Sequence, residues 1–251
     1  MKTFKILVAL LIGQFTFAQE SIDSEDLSVL NQNDGKNLVK VNVLALAAGN
    51  FSLQYERSLT KRITVGVTAN YSPNRKLPFT SEIDKVIEDE STVSQLKTIE
   101  MGGFSITPEA RIYLGKGHFK GFYVAPFVRY AEYSLKFPLN YSYEGYDLTL
   151  NLDGKISSIS GGLAIGAQWK IAKSVYLDWM IMGPHYGSAS GNLADRRNLV
   201  KEEQLAIKQA INGLQIPFID YESTVSDEGI DMKVKSPWAG LRASVGIGYR
   251  F

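Results

Sequence analysis

Leu241-Arg242-Ala243-Ser244-Val245-Gly246-Ile247-Gly248-Tyr249-Arg250-Phe251, the last eleven residues of the chain, has a period of two. Leu241, Ala243, Val245, Ile247, Tyr249 and Phe251 fall on one face and Arg242, Ser244, Gly246, Gly248 and Arg250 on the other, the alternation of a β-strand. The same period recurs toward the N-terminus. It marks Val175 to Ile181, Ile159 to Trp169, Phe122 to Tyr130, Phe104 to Leu114, Ile63 to Tyr71, Phe51 to Tyr55 and Val39 to Ala47, seven further strands separated by Gly, Asn and Lys-rich turns. Eight is an even count, as a closed antiparallel meander of the bacterial single-chain type requires.

The connections sort by length. Joined up and down, the strands put the short links near Leu59 to Arg62, Gly115 to Lys120 and Ala172 to Ser174 on one rim. The long links, Ser72 to Met101, Lys136 to Gly154 and Gly187 to Ser236, fall on the other, and only Ala48 to Asn50 breaks the rule. Outer-membrane barrels have short periplasmic turns and long outer loops, whereas a soluble meander has no reason to sort them.

The two faces differ in kind. The hydrophilic one is rich in small residues (Thr64, Gly66, Thr68, Ser160, Gly162, Ala164, Gly166, Ser244, Gly246, Gly248), which suits a narrow interior rather than a solvated surface. The apolar one ends in rings: Phe122, Trp169, Tyr249 and Phe251 toward the short-turn rim, Phe51, Tyr71, Phe104 and Tyr130 toward the long-loop rim. Two aromatic girdles at the lipid headgroups are expected of a membrane barrel. Trp179 at mid-strand and Trp238 on the inward parity depart from that scheme. Pro108 and Pro126 also fall within strands, where each removes a ladder donor.

Composition excludes several classes. With 27 basic and 26 acidic side chains interspersed, there is no nucleic-acid footprint, and with no Cys there is no disulfide, thiolate metal site or Cys nucleophile. Lys2 and Lys5, the apolar run Ile6 to Ile12 and the small residues of Thr16-Phe17-Ala18 read as a signal peptide over 1–18. Its removal takes the formal charge from +1 to −1 by the loss of two lysines. Residues 19–35 are polar and aperiodic, a flexible periplasmic lead-in, and 36–251 form the barrel.

The terminal Phe251 with Ile247 and Tyr249 before it resembles the assembly signal of bacterial outer-membrane barrels. Together with the signal segment and the eight strands, residues 36–251 resemble the small barrels of the OmpA/OmpX-like superfamily, in particular its branch known only as an outer membrane β-barrel domain. The resemblance implies an all-β, eight-stranded antiparallel up-and-down transmembrane barrel in the outer membrane, inserted by the barrel-assembly machinery through Ile247, Tyr249 and Phe251. It implies a monomer in outer-membrane lipid and no cofactor.

Inward parity carries Lys40, Glu56, Glu109, Arg111, Arg129, Asp178, Arg242 and Arg250. A lumen of eight strands holds side chains but no wide channel, and charges inside it must pair. Glu56, Glu109, Arg111, Arg129 and Arg242 are therefore expected to form a polar plug, with Lys40, Asp178 and Arg250 at the rims in water. In the loops, Val200, Ile207, Ile211 and Leu214 recur at helical spacing within 194–214, and Ile83, Val86, Ile87 and Val93 within 81–96. The first stripe either caps the barrel mouth or docks on a neighbouring envelope protein; Tyr141, Tyr143 and Tyr146 mark an adhesive patch or a hairpin extension. The expected role is structural or surface-interactive and non-enzymatic. The alternatives are a narrow channel for small or apolar molecules and a lipid A-modifying acyl hydrolase or transferase using His185 with Ser188 or Ser190. No phosphate loop or metal-ligand spacing is present.

Overall fold

The computed structural model describes residues 35–76, 98, 100–115, 117–212 and 220–251; the signal segment 1–18, most of the 19–35 lead-in and the 81–96 helix lie outside the described residues. In chain order the elements are β1 (Asn37–Asn42), α1 (Val43–Ala47), β2 (Phe51–Ser58), β3 (Ile63–Lys76), β4 (Glu100–Tyr113), β5 (Gly121–Tyr143), β6 (Tyr146–Lys170), β7 (Val175–Arg196), α2 (Lys201–Asn212), β8 (Asp220–Ser226) and β9 (Gly229–Arg250). Every pairing is antiparallel, and the order is β1-β2-β3-β4-β5-β6-β7-β9-β8 with a further β1–β9 pairing. The sheet thus returns on itself as a ring of eight strands, while β8 hangs on β9 alone. At the closing seam Asn37 and Phe251 exchange both backbone hydrogen bonds at 3.0 Å.

Two expectations need correction. The first strand stops at Asn42 instead of running to Ala47, because the Asn42 side chain accepts from the Leu44 and Ala45 amides and caps α1, and Leu-Ala-Leu-Ala is a good helix-forming run. The long connection Gly187 to Ser236 is not mostly loop. There β7 runs on to Arg196 and β8 forms a hairpin with β9, giving nine strands among the described residues.

One side of the ring is tall. Strand β2 has 8 residues, whereas β5, β6, β7 and β9 have 22 to 25. The tyrosine segment is the tip of this extension: Tyr143 pairs with Tyr146 across Glu144 and Gly145, both at positive φ (52° and 81°), the two-residue turn whose twist matches a hairpin. Pro108 and Pro126 leave β4 and β5 continuous. Pro108 stays in register with Val67 and Pro126 with Leu163, while on the seam between β4 and β5 the pairing passes from Ile106↔Tyr130 to Glu109↔Phe127. Each missing donor is thus tolerated where that one ladder thins.

The faces point as follows. In the lower ring the apolar face is outside: Val128, Leu163 and Ile247 are each about half exposed, whereas Glu56, Glu109 and Arg111 are buried inside. In the extensions the polarity reverses. Outward positions become Glu132, Ser134 and Lys136 on β5, Asn151, Asp153 and Lys155 on β6, Ser188, Ser190 and Asn192 on β7, and Asp231, Lys233 and Lys235 on β9. The inward positions there become Leu139, Tyr141, Leu150, Leu152, Leu193 and Met232, a separate apolar core. The change occurs at one level, since Tyr130, Ile159, Ser188 and Pro237 are successive register partners across the four strands.

Helix α2 fills that upper core. Ile207 and Ile211 are fully buried against Leu139, Leu150, Val225 and Ile230, so its apolar stripe is consumed by the chain's own strand extensions. Val200, expected on the same stripe, is exposed, and Leu214 lies outside the described residues.

Candidate functional site

Inside the lower ring, strand alternation and register bring six charged side chains from five strands together. Lys40 on β1 faces across from Gly248, and a methyl at Gly248 would stand 2.5 Å from the Lys40 stem, so the glycine makes room for the lysine. Gly166 does the same for the Tyr123 ring, which a methyl there would meet at 2.4 to 2.5 Å. Small residues on the inward face are thus the complement of large ones opposite them.

The ammonium of Lys40 lies 2.6 Å from Glu56 Oε2 and 2.6 Å from Asp178 Oδ2, and donates to Gln168 Oε1 at 3.0 Å. Arg111 donates from Nε to Glu109 Oε1 (2.6 Å), from Nη1 to Asp178 Oδ2 (2.7 Å) and from Nη2 to Gln54 Oε1 (3.1 Å). The free acceptor sites of the carboxylates are taken by neutral donors. Thr64 (2.5 Å) and Tyr113 (2.8 Å) donate to Glu56, Gln54 to Glu109 (2.6 Å) and Tyr123 to Asp178 (2.9 Å). The Arg111 guanidinium also lies 4.2 Å from the Tyr123 ring centroid, and Arg242 reaches Glu109 Oε2 at 3.4 Å. Three carboxylates meet three cations, each hydrogen-bonded, which is the condition under which buried charge is tolerated.

Of the five residues expected in the plug, Glu56, Glu109, Arg111 and Arg242 are joined and Arg129 is not: among the described residues its side chain makes no hydrogen bond or ion pair. The rim placement of Lys40 and Asp178 is corrected, since both are buried at the centre of the network. Arg250 is buried as well, donating to the Gly35 carbonyl (2.7 Å) and Tyr176 (2.9 Å). The sequence puts Lys40 and Asp178 on the inward face but not at the centre, because alternation assigns a face and not a height. The usable signal was the pairing of a large inward residue with an inward glycine, Lys40 with Gly248 and Asp178 with Gly246.

The outer-face residues lie as follows. Phe51, Tyr71 and Phe104 are consecutive cross-strand neighbours, and the Phe104 and Tyr130 rings are 6.1 Å apart, so these four make a continuous row. Phe122 is exposed and Trp169 half-buried at the opposite rim. Ile247 and Tyr249 pair with Val41 and Val39 at the seam that Phe251 ends. His185 faces inward against Phe127 and Gly240, whereas Ser188 and Ser190 face outward, so neither serine forms a nucleophile pair with it. His118, in a short-rim turn, has Nδ1 2.6 Å from Ser58 Oγ. Among the described residues no group of three or more His, Asp and Glu is placed to hold a metal ion.

A family model described as "Protein of unknown function (DUF3575)" matches residues 24–189, about two thirds of the sequence. The chain belongs to the DUF3575 family. The DUF3575 match takes in Lys40, Glu56, Glu109, Arg111 and Asp178 and stops before α2, β8 and β9. The curated proteins contain no match. Among solved structures, the β-domain of the Bordetella autotransporter BrkA aligns with 11% identity over 87% of this chain and 99% of its own, at a TM-score of 0.32. The translocator domain of autotransporter NalP from Neisseria meningitidis aligns with 9% identity over 88% and 90%, at 0.27.

Proposed function

We propose that this protein is an integral outer-membrane barrel of eight transmembrane strands, related in plan to the OmpA/OmpX-like group, with a closed lumen and an interaction-based, non-enzymatic role. The observation that carries it is the level at which polarity reverses. Below that level the outward apolar stretch covers nine residues on β5 (Phe122–Tyr130), eleven on β6 (Ile159–Trp169) and ten on β7 (Leu177–Tyr186). About 9 to 11 residues is the length a tilted strand needs to cross the hydrocarbon core. Above it, where a protein meets water, the same strands turn their charges outward. Residues 1–18 would export the chain, the barrel-assembly machinery would insert it through Ile247, Tyr249 and Phe251, and lipid would surround a monomer. The extension carrying α2, with Leu205 and Val200 exposed, is the surface offered to an envelope partner. The paired charges across the lumen argue against the narrow-channel reading, and the opposed faces of His185 and its nearby serines argue against the lipid A-modifying one.

The absence of cysteine makes the test direct. In intact cells a membrane-impermeant maleimide is expected to label Ser188→Cys and Lys233→Cys and to leave Leu163→Cys and Ile247→Cys unlabelled. Equal labelling of all four would overturn the membrane reading.

A further inference from the structure

Strand β9 pairs with β1 over Gly246–Arg250 and with β8 over Gly229–Lys235. Between these, residues 236–245 have β7 on one edge and, among the described residues, no strand on the other. The gap exists because β1 ends at Asn42 and the chain turns into α1. The first turn after α1 is pinned from across the gap, where the Arg75 guanidinium donates to the Ala48 carbonyl and to Asn50 Oδ1. Unpaired strand edges are not left facing hydrocarbon unless they border a cavity.

Such a cavity is present. About 380 Å³ lies above the plug, its polar wall formed by Thr68, Ser105, Arg129 and Arg242 and its window side by Ala45, Leu241 and Ala243. The wall carries two guanidiniums, Arg129 and Arg242, and the carboxylate that lines the cavity, Asp178, already accepts from Lys40, Arg111 and Tyr123. Arg129 has no partner among the described residues, Arg242 Nη1 and the nine-tenths-buried Thr68 hydroxyl make no hydrogen bond there, and Glu109, which Arg242 reaches at 3.4 Å, is already shared with Arg111. Arg242 is held 4.4 Å from the Phe127 ring centroid, and two guanidiniums on one wall repel unless an anion lies between them.

We infer that this cavity binds the anionic headgroup of a single-chain amphiphile, a carboxylate or phosphate on one hydrocarbon tail, with the tail leaving between α1 and β9. Arg129 and Arg242 take the headgroup, the Thr68 hydroxyl donates to it, and Ala45, Leu241 and Ala243 border the tail. The path of the tail into lipid rests on the membrane reading, whereas the headgroup site is tested without it.

The test uses the full mature chain, folded and held in amphipol, with decanoate, decyl phosphate, decanol, acetate and inorganic phosphate as probes in equilibrium dialysis. Decanoate or decyl phosphate is expected to bind one to one, and Arg129→Gln, which removes no ion pair, to weaken it by about tenfold while the folded, heat-modifiable form is retained. Arg242→Gln is expected to act in the same direction. Competition by acetate or inorganic phosphate as strong as by decanoate would overturn the amphiphile, equal binding of decanol would overturn the anionic headgroup, and binding unaltered in Arg129→Gln, or none at all, would overturn the site. Cysteine labelling reports separately on the membrane, so either reading can fail alone.

Discussion

At the scale of single residues, Asp178 shows how the interior tolerates charge. It accepts from Lys40, Arg111 and Tyr123, so Asp178→Asn leaves two buried cations short of an anion and is expected to cost about 3–5 kcal/mol, the range for breaking a buried pair from one side. Arg129→Gln is expected to stay within about 0.5 kcal/mol, because nothing is left unpaired. Urea unfolding of the two variants in lipid vesicles checks both, and equal losses would mean that the network carries no stability. Much of this was legible in the sequence. Alternation alone assigns Glu56, Glu109, Arg111 and Arg242 to the interior, since a strand has only two faces. It does not assign height. Lys40 looked like a rim residue and Arg129 like a member of the plug because height depends on the stagger between strands, and stagger is set by the ladder, not by any one strand's pattern.

At the scale of elements, the sequence foretold α2 by its spacing and left the partner of its apolar stripe open. That partner is the inward face of the β5, β6, β8 and β9 extensions, whose reversal of polarity is visible only once register aligns Tyr130, Ile159 and Ser188. Ile207→Ala is expected to cost about 2–5 kcal/mol, confined to the upper core. Limited proteolysis should then cut within residues 197–212 while the lower ring persists; loss of the whole barrel would show the two cores to be one cooperative unit. Alkali should loosen the same contact. Burial pushes the Tyr141 phenol up to about 12, and its 2.6 Å hydrogen bond to Glu203 pushes the same way. A folded-state pKa above the unfolded value of about 10 means that the proton stabilises the fold: the contribution is full below pH 10 and is lost as pH rises toward 12. Protease sensitivity of α2 is expected to rise across that window, and to do so less in Tyr141→Phe.

For the molecule as a whole, the question is whether the ring of strands conducts. The lumen at the level of Lys40, Glu56, Arg111 and Asp178 is crossed by ion pairs of 2.6 to 2.7 Å and flanked by the buried rings of Tyr113, Tyr123 and Phe119. An ion passing through would have to separate charges that have already given up water for one another, which costs several kcal/mol per group. The cavity above the plug ends on these pairs, since Lys40 and Asp178 line it, so its volume adds nothing to conduction. The native protein in planar bilayers is accordingly expected to give no steady current steps. Removing the four charged groups together, as Lys40→Ala, Glu56→Ala, Arg111→Ala and Asp178→Ala in one chain, keeps the charge balance and clears the cross-section, and is expected to produce ohmic steps. Steady conductance of the native protein would sink the plug. A silent quadruple variant that still folds would instead assign the seal to the Tyr113, Tyr123 and Phe119 rings beside it.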